Sequence, residues 1–324
     1  MRPRSRRNVS SPAIEPGACG ASGCRRPFSP RFSKMNPLNR LNAWLMLLPA
    51  LVMLLAFTHI PALSTLWHSL FFPARGGESP EFAGLDNYRM MLDDEVFWQA
   101  LSNNLWYALG TVPTAMALAL SMALWVNSRI RGRSALRLAY FTPTMLPMIA
   151  VANIWLFFYS PEIGLFNKLL GFFGQSGINW LGDPDWALPS LMLMTIWKEA
   201  GFFMIFYLAA LQTLNRDIYA AAAVEGAGHW YRFRRLTLPL LMPTTLFVLV
   251  NALLNAFKLV DHLFILTKGG PNNASNLLLY YIYENAFGFF DSNYAATLTV
   301  VMLLMLILLA LLQFGVFERR IHYR

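Results

Sequence analysis

The chain has 324 residues, 56% of them hydrophobic and 13% charged, with a formal net charge of +9. Soluble domains carry about a quarter charged residues, so this composition excludes an ordinary water-facing globule and predicts membrane spans. The positive charge does not indicate nucleic acid: the basic residues fall in short runs beside apolar stretches, and no aromatic–basic platform accompanies them.

Residues 1–34 are rich in Arg, Ser, Pro and Gly and lack apolar periodicity, which predicts disorder. Ser5-Arg6-Arg7 is a faint twin-arginine pattern, but the apolar run begins too late for a signal and no small-residue cleavage site follows. Cys19 and Cys24 form a C-x4-C pair without further Cys or His partners, a poor metal site that reads as two free thiols. Met35 opens a tidier start, so residues 1–34 read as a dispensable tail or a mis-called start. The division is a basic tail over 1–40, a membrane domain over 41–318 and a short tail over 319–324.

Six apolar segments follow, near 42–68, 100–126, 136–159, 187–212, 240–266 and 293–317. Each is long enough to cross about 30 Å of hydrocarbon. Pro49 and Pro61 in the first, Pro113 in the second, and Pro143 and Pro147 in the third predict kinks, since neighbours can satisfy the carbonyls a proline frees. The segments 69–99, 160–186 and 267–292 are aromatic and rich in Gly and Pro, with Trp180 and Trp186 where interfacial rings belong. Asn273-Ala274-Ser275 matches a glycosylation sequon and reads as part of an outer loop.

With the N-terminus placed inside, twenty basic residues fall on inner segments and four on outer ones (Arg75, Arg89, Lys168 and Lys268). Without the 1–34 tail the ratio is still twelve to four. The bias predicts cytoplasmic termini and a cytoplasmic 213–239 loop. In that loop Ala220–Ala223 is a strong helix-forming run, Gly226 and Gly228 break it, and His229–Arg235 is aromatic and basic. The pattern predicts helix, turn, helix.

The spacing Ala220-Ala221-Ala222, then Gly226, then Leu236-Thr237-Leu238-Pro239 resembles the EAA loop of ATP-binding-cassette importer permeases. Gly84-Leu85-Asp86-Asn87-Tyr88 with Phe97-Trp98, Ala209-Ala210-Leu211-Gln212, and Thr267-Lys268-Gly269-Gly270-Pro271 resemble further blocks of that family's carbohydrate branch, in the same order. The resemblance runs over roughly 36–324 and points to the first of two permease subunits of the maltose and glycerol-3-phosphate type. It implies an all-α membrane protein of six transmembrane helices with an EAA-type coupling helix, both termini cytoplasmic, in a bacterial inner membrane. It also implies partners: a second homologous permease, two ATPase subunits that bind ATP and Mg, and a periplasmic or lipid-anchored substrate-binding protein. The motif glutamate is replaced by Ala220 and the usual aspartate by Glu225. On the resemblance, the ATPase-coupling candidates are Ala220, Glu225, Gly226, His229, Trp230 and Arg232, with Gly226 providing the turn.

Ionisable groups at membrane depth usually face a cavity or a partner. Thr195, Lys198 and Glu199 lie in the fourth span and, by resemblance, match positions that contact substrate in maltose-type permeases. In the fifth span Asn251, Asn255, Lys258 and His262 fall on one helical face, with Asp261 one residue off it. Two readings compete: these side chains line a sugar or polyol pathway, or they are interhelical glue, with Lys198 or Lys258 paired to Glu199 or Asp261. Asn153 and Tyr159 are further pathway candidates.

No P-loop pattern, convincing nucleophile–base pair or metal cluster is visible, so the chain is expected to carry no cofactor and to draw its energy from a partner. The resulting expectation is the permease subunit of an ATP-driven importer of a sugar or related polyol, with sn-glycerol-3-phosphate as the alternative cargo. From another class, an ion-coupled secondary transporter would use Glu199, Asp261 or His262 as a proton relay. No internal repeat supports it.

Overall fold

A computed structural model of the protein describes residues 37–73, 80–128 and 131–317, with side chains from 44 to 315. The basic tail with Cys19 and Cys24, the loop residue Arg75, Arg129 and residues 319–324 lie outside the described residues. The described chain is helical apart from loops and one isolated bridge between Phe71 and Phe82.

The unit of residues 1–55 contains α1 (Pro37–Leu54), with Pro49 inside it. The unit of residues 56–324 begins with α2 (Ile60–His68), α3 (Asp86–Leu92) and α4 (Glu95–Asn127). Next come α5 (Arg133–Met145), α6 (Met148–Phe158), α7 (Leu165–Phe172), α8 (Pro184–Thr213), α9 (Arg216–Val224), α10 (His229–Arg232) and α11 (Leu238–Leu240). The chain continues through α12 (Met242–Lys258), α13 (Asp261–Leu266), α14 (Leu278–Tyr283) and α15 (Ser292–Phe317).

Five stretches are long and apolar enough to cross a membrane: Trp44–His68, Glu95–Asn127, Pro184–Thr213, Met242–Leu266 and Ser292–Gly315. The pair α5 and α6 makes a sixth if it is one broken span. All six lie within a few residues of the expected segments.

The longest helices start at side-chain caps. Asp94 accepts a hydrogen bond from the Val96 amide at the start of α4, and Asp183 accepts one from the Asp185 amide at the start of α8. These two helices form the most extensive packed pair in the molecule. Small residues allow the close approach: Ala108, Ala115, Ala119 and Ala123 are buried along α4, and a Cβ on Gly110 would press on Met192 Sδ at 2.9 Å.

The third span is more sharply altered than a kink. α5 and α6 meet at 100°. Pro147 disfavours a helical conformation at the residue before it, and Leu146 is extended, with ψ of 139°. That break strips the last carbonyls of α5 of their helical partners. Lys198 of α8 supplies replacements: its Nζ donates to the carbonyls of Leu146 at 2.8 Å, Pro143 at 3.2 Å and Thr144 at 3.5 Å. Three residues on, Gly201 passes so close to α5 that a Cβ there would collide with the Tyr140 carbonyl. The expected pairing of Lys198 with a carboxylate is therefore replaced by capping of a helix end, where the macrodipole favours a cation.

The fifth span is also broken. α12 stops at Lys258 and α13 begins at Asp261. The expected polar face from Asn251 to His262 is interrupted at Leu259 and Val260, and His262 lies on the second helix, packed against α6. The break leaves the Ala256 carbonyl without its helical donor, and Asn104 of α4 donates to it at 3.3 Å. The same amide accepts at 3.3 Å from the Leu278 backbone amide at the start of α14.

Lys198→Met should lower unfolding stability by ~1–3 kcal/mol, because capped carbonyls lose their donor. Lys198→Arg should keep most of the stability. Chemical unfolding in detergent, followed by circular dichroism, checks both; equal stability of Lys198→Met and the parent would refute the capping role.

Candidate functional site

Polar side chains converge where α4, α8 and α12 meet. Glu199 lies near the middle of α8, and its Oε2 accepts from Asn255 Nδ2 of α12 at 2.9 Å. Thr195, one turn before Glu199, meets the Tyr107 hydroxyl of α4 at 2.6 Å. Tyr107 also lies 3.1 Å from His262 Nε2, with the two rings stacked at a centroid distance of 6.0 Å. Which of that pair donates depends on the imidazole tautomer. Nδ1 of His262 is buried without a hydrogen-bond partner. Beside this network a cavity of about 10 Å³ is lined by Thr111, Thr195, Glu199, Phe203 and Asn255, among others. That is room for about one water.

The structure therefore brings together Thr195, Glu199 and Asn255, with His262 joined to them through Tyr107. It separates the rest. Lys198 turns toward the α5 end. Asn251 is half-buried and donates within its own helix to the Phe247 carbonyl. Lys258 and Asp261 are exposed, with no ion pair to Lys198 or Glu199. Asn153 is likewise turned to its own helix, donating to Ile149, while Tyr159 holds α6 to α8 through the Ser190 carbonyl at 2.7 Å.

Sequence reasoning passed over Asn104, Tyr107 and Thr111. Their spacing of three and four residues places them on one face of α4, and that face meets Thr195, His262 and the helix break. A polar stripe in an otherwise apolar span was the available signal.

The 213–239 loop forms a second feature. Asn215 caps α9 by accepting from the Asp217 amide. α9 ends at Val224, and Gly226 has φ of +75°, with Ala227 N bonded to the Ala222 carbonyl at 2.9 Å. This is a left-handed helix terminus of the kind that glycine favours. A Cβ on Gly226 would meet nothing within 4 Å, so the dihedral and not crowding demands glycine. Ala220, Glu225, His229 and Trp230 are exposed, and Arg232 is half-buried. Val224 and Trp230 are 90% and 70% exposed, leaving a pair of apolar side chains on either side of the turn.

The segments 69–99, 160–186 and 267–292 hold clamps. Asn87 donates to the carbonyls of Ser69 and Phe71, where the chain leaves α2, and Asn293 of α15 donates to those of His68 and Phe71. Asn103 of α4 holds the segment after Pro271 by donating to the carbonyls of Asn273 and Asn276. Asp94 accepts from Tyr281 at 2.5 Å and Tyr294 at 2.6 Å. Burial, together with Asp94, pushes the Tyr281 hydroxyl up to about 12. Trp180 donates to Asn167 and packs edge-on against Trp186.

Known proteins are similar to this chain in sequence and in fold. The model of the family described as binding-protein-dependent transport system inner membrane component matches residues 115–323. The sulfoquinovosyl glycerol transport system permease protein SmoG of Agrobacterium fabrum is 35% identical over 275 residues, 84% of this chain and 89% of that protein. The lactose transport system permease protein LacF of Rhizobium radiobacter is 36% identical over 279 residues, 84% of this chain and 93% of that protein. Among solved structures, a bacterial ABC transporter involved in the import of the acidic polysaccharide alginate contains a chain matching at a TM-score of 0.75 and 25% identity, over 87% of this chain and 96% of that one. The chain thus belongs to the binding-protein-dependent transport system inner membrane components and is a permease subunit, the membrane part of an importer and not its catalytic part.

Proposed function

We propose that this permease conducts a sugar or a related polyol, and that Thr195, Glu199 and Asn255 form its share of the substrate path. The observation that carries this is the Glu199–Asn255 pair in the middle of two spans, beside a cavity walled by Thr111 and Thr195. Carboxylate, amide and hydroxyl groups together offer donors and acceptors suited to sugar hydroxyls. An ionisable group at that depth signals function by its cost alone. The cavity is too small for a sugar, so the remainder of the path falls to a second permease. Asn251 and Lys258, at the chain's surface, could reach a path only through such a partner. A phosphorylated cargo finds less support, because Lys198 is engaged by three backbone carbonyls.

The partners follow from the same assignment: a second homologous permease, two ATPase subunits carrying ATP and Mg, and a soluble or lipid-anchored binding protein on the outer face. With both termini cytoplasmic, the 213–239 loop lies inside and α9 serves as the coupling helix. Ala220, Glu225, His229, Trp230 and Arg232 are its contact candidates, with Val224 adding apolar surface. The domain plan is a basic tail over 1–40, a membrane domain over 41–318 and a tail over 319–324.

Two measurements test the assignment in the reconstituted importer. Glu199→Gln and Asn255→Leu should each reduce uptake about tenfold or more, the loss expected when a charge-assisted hydrogen bond disappears, with complex assembly intact; unchanged uptake would remove both from the path. Gly226→Val should uncouple ATP hydrolysis from uptake, since a left-handed conformation costs a branched side chain ~1–2 kcal/mol. Gly226→Asn, which tolerates that conformation, should retain most activity. Equal uptake by all three proteins would show that the turn is irrelevant.

A further inference from the structure

Arginines gather around a second, larger space. It measures about 740 Å³ and lies where the end of α4, the start of α5, the end of α8 and the start of α9 come together. Arg133, Arg137 and Arg216 line it, with Asn127, Gln212 and Tyr219 among the other wall residues. No carboxylate lines it. Among the described residues the ion pair within 4 Å is Arg89–Asp86, so none of the three arginines is matched by an acid.

Nor do the backbone carbonyls at the ends of α4 and α8 engage them, since no hydrogen bond from these guanidiniums is present among the described residues. Nε of Arg137 is buried with no acceptor, and so is Nε of the neighbouring Arg232, whose carbonyl accepts from the wall residue Thr237 at 3.4 Å. The wall itself is fixed, because Tyr219 and Thr237 are joined at 3.0 Å. Arg133 and Arg216 are exposed and Arg137 is half-buried; like charges facing one space repel, and a buried N–H without an acceptor is costly. Arg133 and Arg216 begin α5 and α9, where the helix dipole adds further positive potential.

A ligand that settles all of this must bring acceptors and more negative charge than one carboxylate. Guanidinium forks match tetrahedral phosphate oxygens in pairs. We infer that this cavity is a binding site for a phosphate-bearing anion, held by Arg133, Arg137 and Arg216. The volume greatly exceeds a bare phosphate, so the group can arrive on a larger body such as a phospholipid headgroup. Neither the transported cargo nor the coupling loop's docking enters the inference.

The test uses the full-length chain in detergent and in nanodiscs, with no uptake readout, so it fails or succeeds apart from the transport assignment. Inorganic phosphate should raise the unfolding midpoint above that in chloride at equal ionic strength, or phosphatidylglycerol should be retained over phosphatidylcholine in native mass spectrometry. The first result names free phosphate as the source, the second a headgroup, and either supports the site. Arg137→Gln should weaken the effect about tenfold, the scale of one lost charged hydrogen bond. The double variant Arg133→Gln/Arg216→Gln should abolish it, and Arg89→Gln should not change it. If Arg137→Gln does not fold, Arg137→Lys keeps the charge without the fork and should bind with intermediate strength. The proposal is overturned if neither phosphate nor phosphatidylglycerol binds, if the double variant binds as the parent does, or if only an acidic peptide such as polyglutamate is held.

Discussion

A helix that breaks inside hydrocarbon exposes carbonyls and amides that water cannot reach, and the arrangement of this permease depends on meeting that demand. Two of the candidate spans are interrupted, one between α5 and α6, bent by 100°, and one between α12 and α13, which still run on as one stretch. Each break is answered by one long polar side chain from an unbroken neighbour: Lys198 of α8 for the first, Asn104 of α4 for the second. Non-helical backbone at membrane depth is tolerated only when protein groups satisfy it. The two helices that pack most extensively, α4 and α8, are therefore also the ones that supply the repairs. The second halves of the broken spans, α6 and α13, then pack against each other. This places His262 against Tyr107 and builds the polar network around Thr195.

The family and the positions of the long apolar stretches were legible in the sequence, because a run of about twenty apolar residues has few other uses; whether they make five spans or six turns on how the bent pair α5 and α6 is counted. The breaks were not. Prolines at 143 and 147 signalled a bend, but its size depends on Lys198 reaching across from another span. The break after Lys258 carries no proline at all; it interrupts the helical register before Asp261, yet Asn255 and His262 still reach the one network around Thr195 and Glu199. Asn104, Tyr107 and Thr111 were missed for a related reason: scattered among alanines and leucines, they gain meaning only from the partners facing them. The outer motif blocks were recognisable as patterns, while their purpose required seeing Asn87 and Asn103 on the backbone carbonyls they hold.

Lys198 and Glu199 show how adjacent residues can carry unrelated tasks. Successive positions on a helix point about 100° apart. Glu199 and Thr195, four residues apart, share the face toward α4 and α12, while Lys198 faces α5. One span thus presents a polar face to the candidate path and a cation to a structural joint. A charge change at Lys198 acts on the bend between α5 and α6. A charge change at Glu199 acts on the amide of Asn255. Treating the two as a salt bridge would merge a hinge with a lining group.

This separation bears on how the molecule could move. In a rigid-body mechanism the path must change shape while the joints hold. The amide and lysine repairs are made to backbone carbonyls at 2.8 to 3.5 Å, so they hold the broken halves to the α4–α8 pair. Glu199 is tied to α12 by a single side-chain hydrogen bond, a contact whose loss frees no backbone group. Within the loop from α9 to α11 the Tyr219 hydroxyl meets Thr237 Oγ1 at 3.0 Å, and both residues line the space at the ends of α4 and α8. The loop thus abuts the ends of the two helices that also carry the break repairs and the polar network around Glu199.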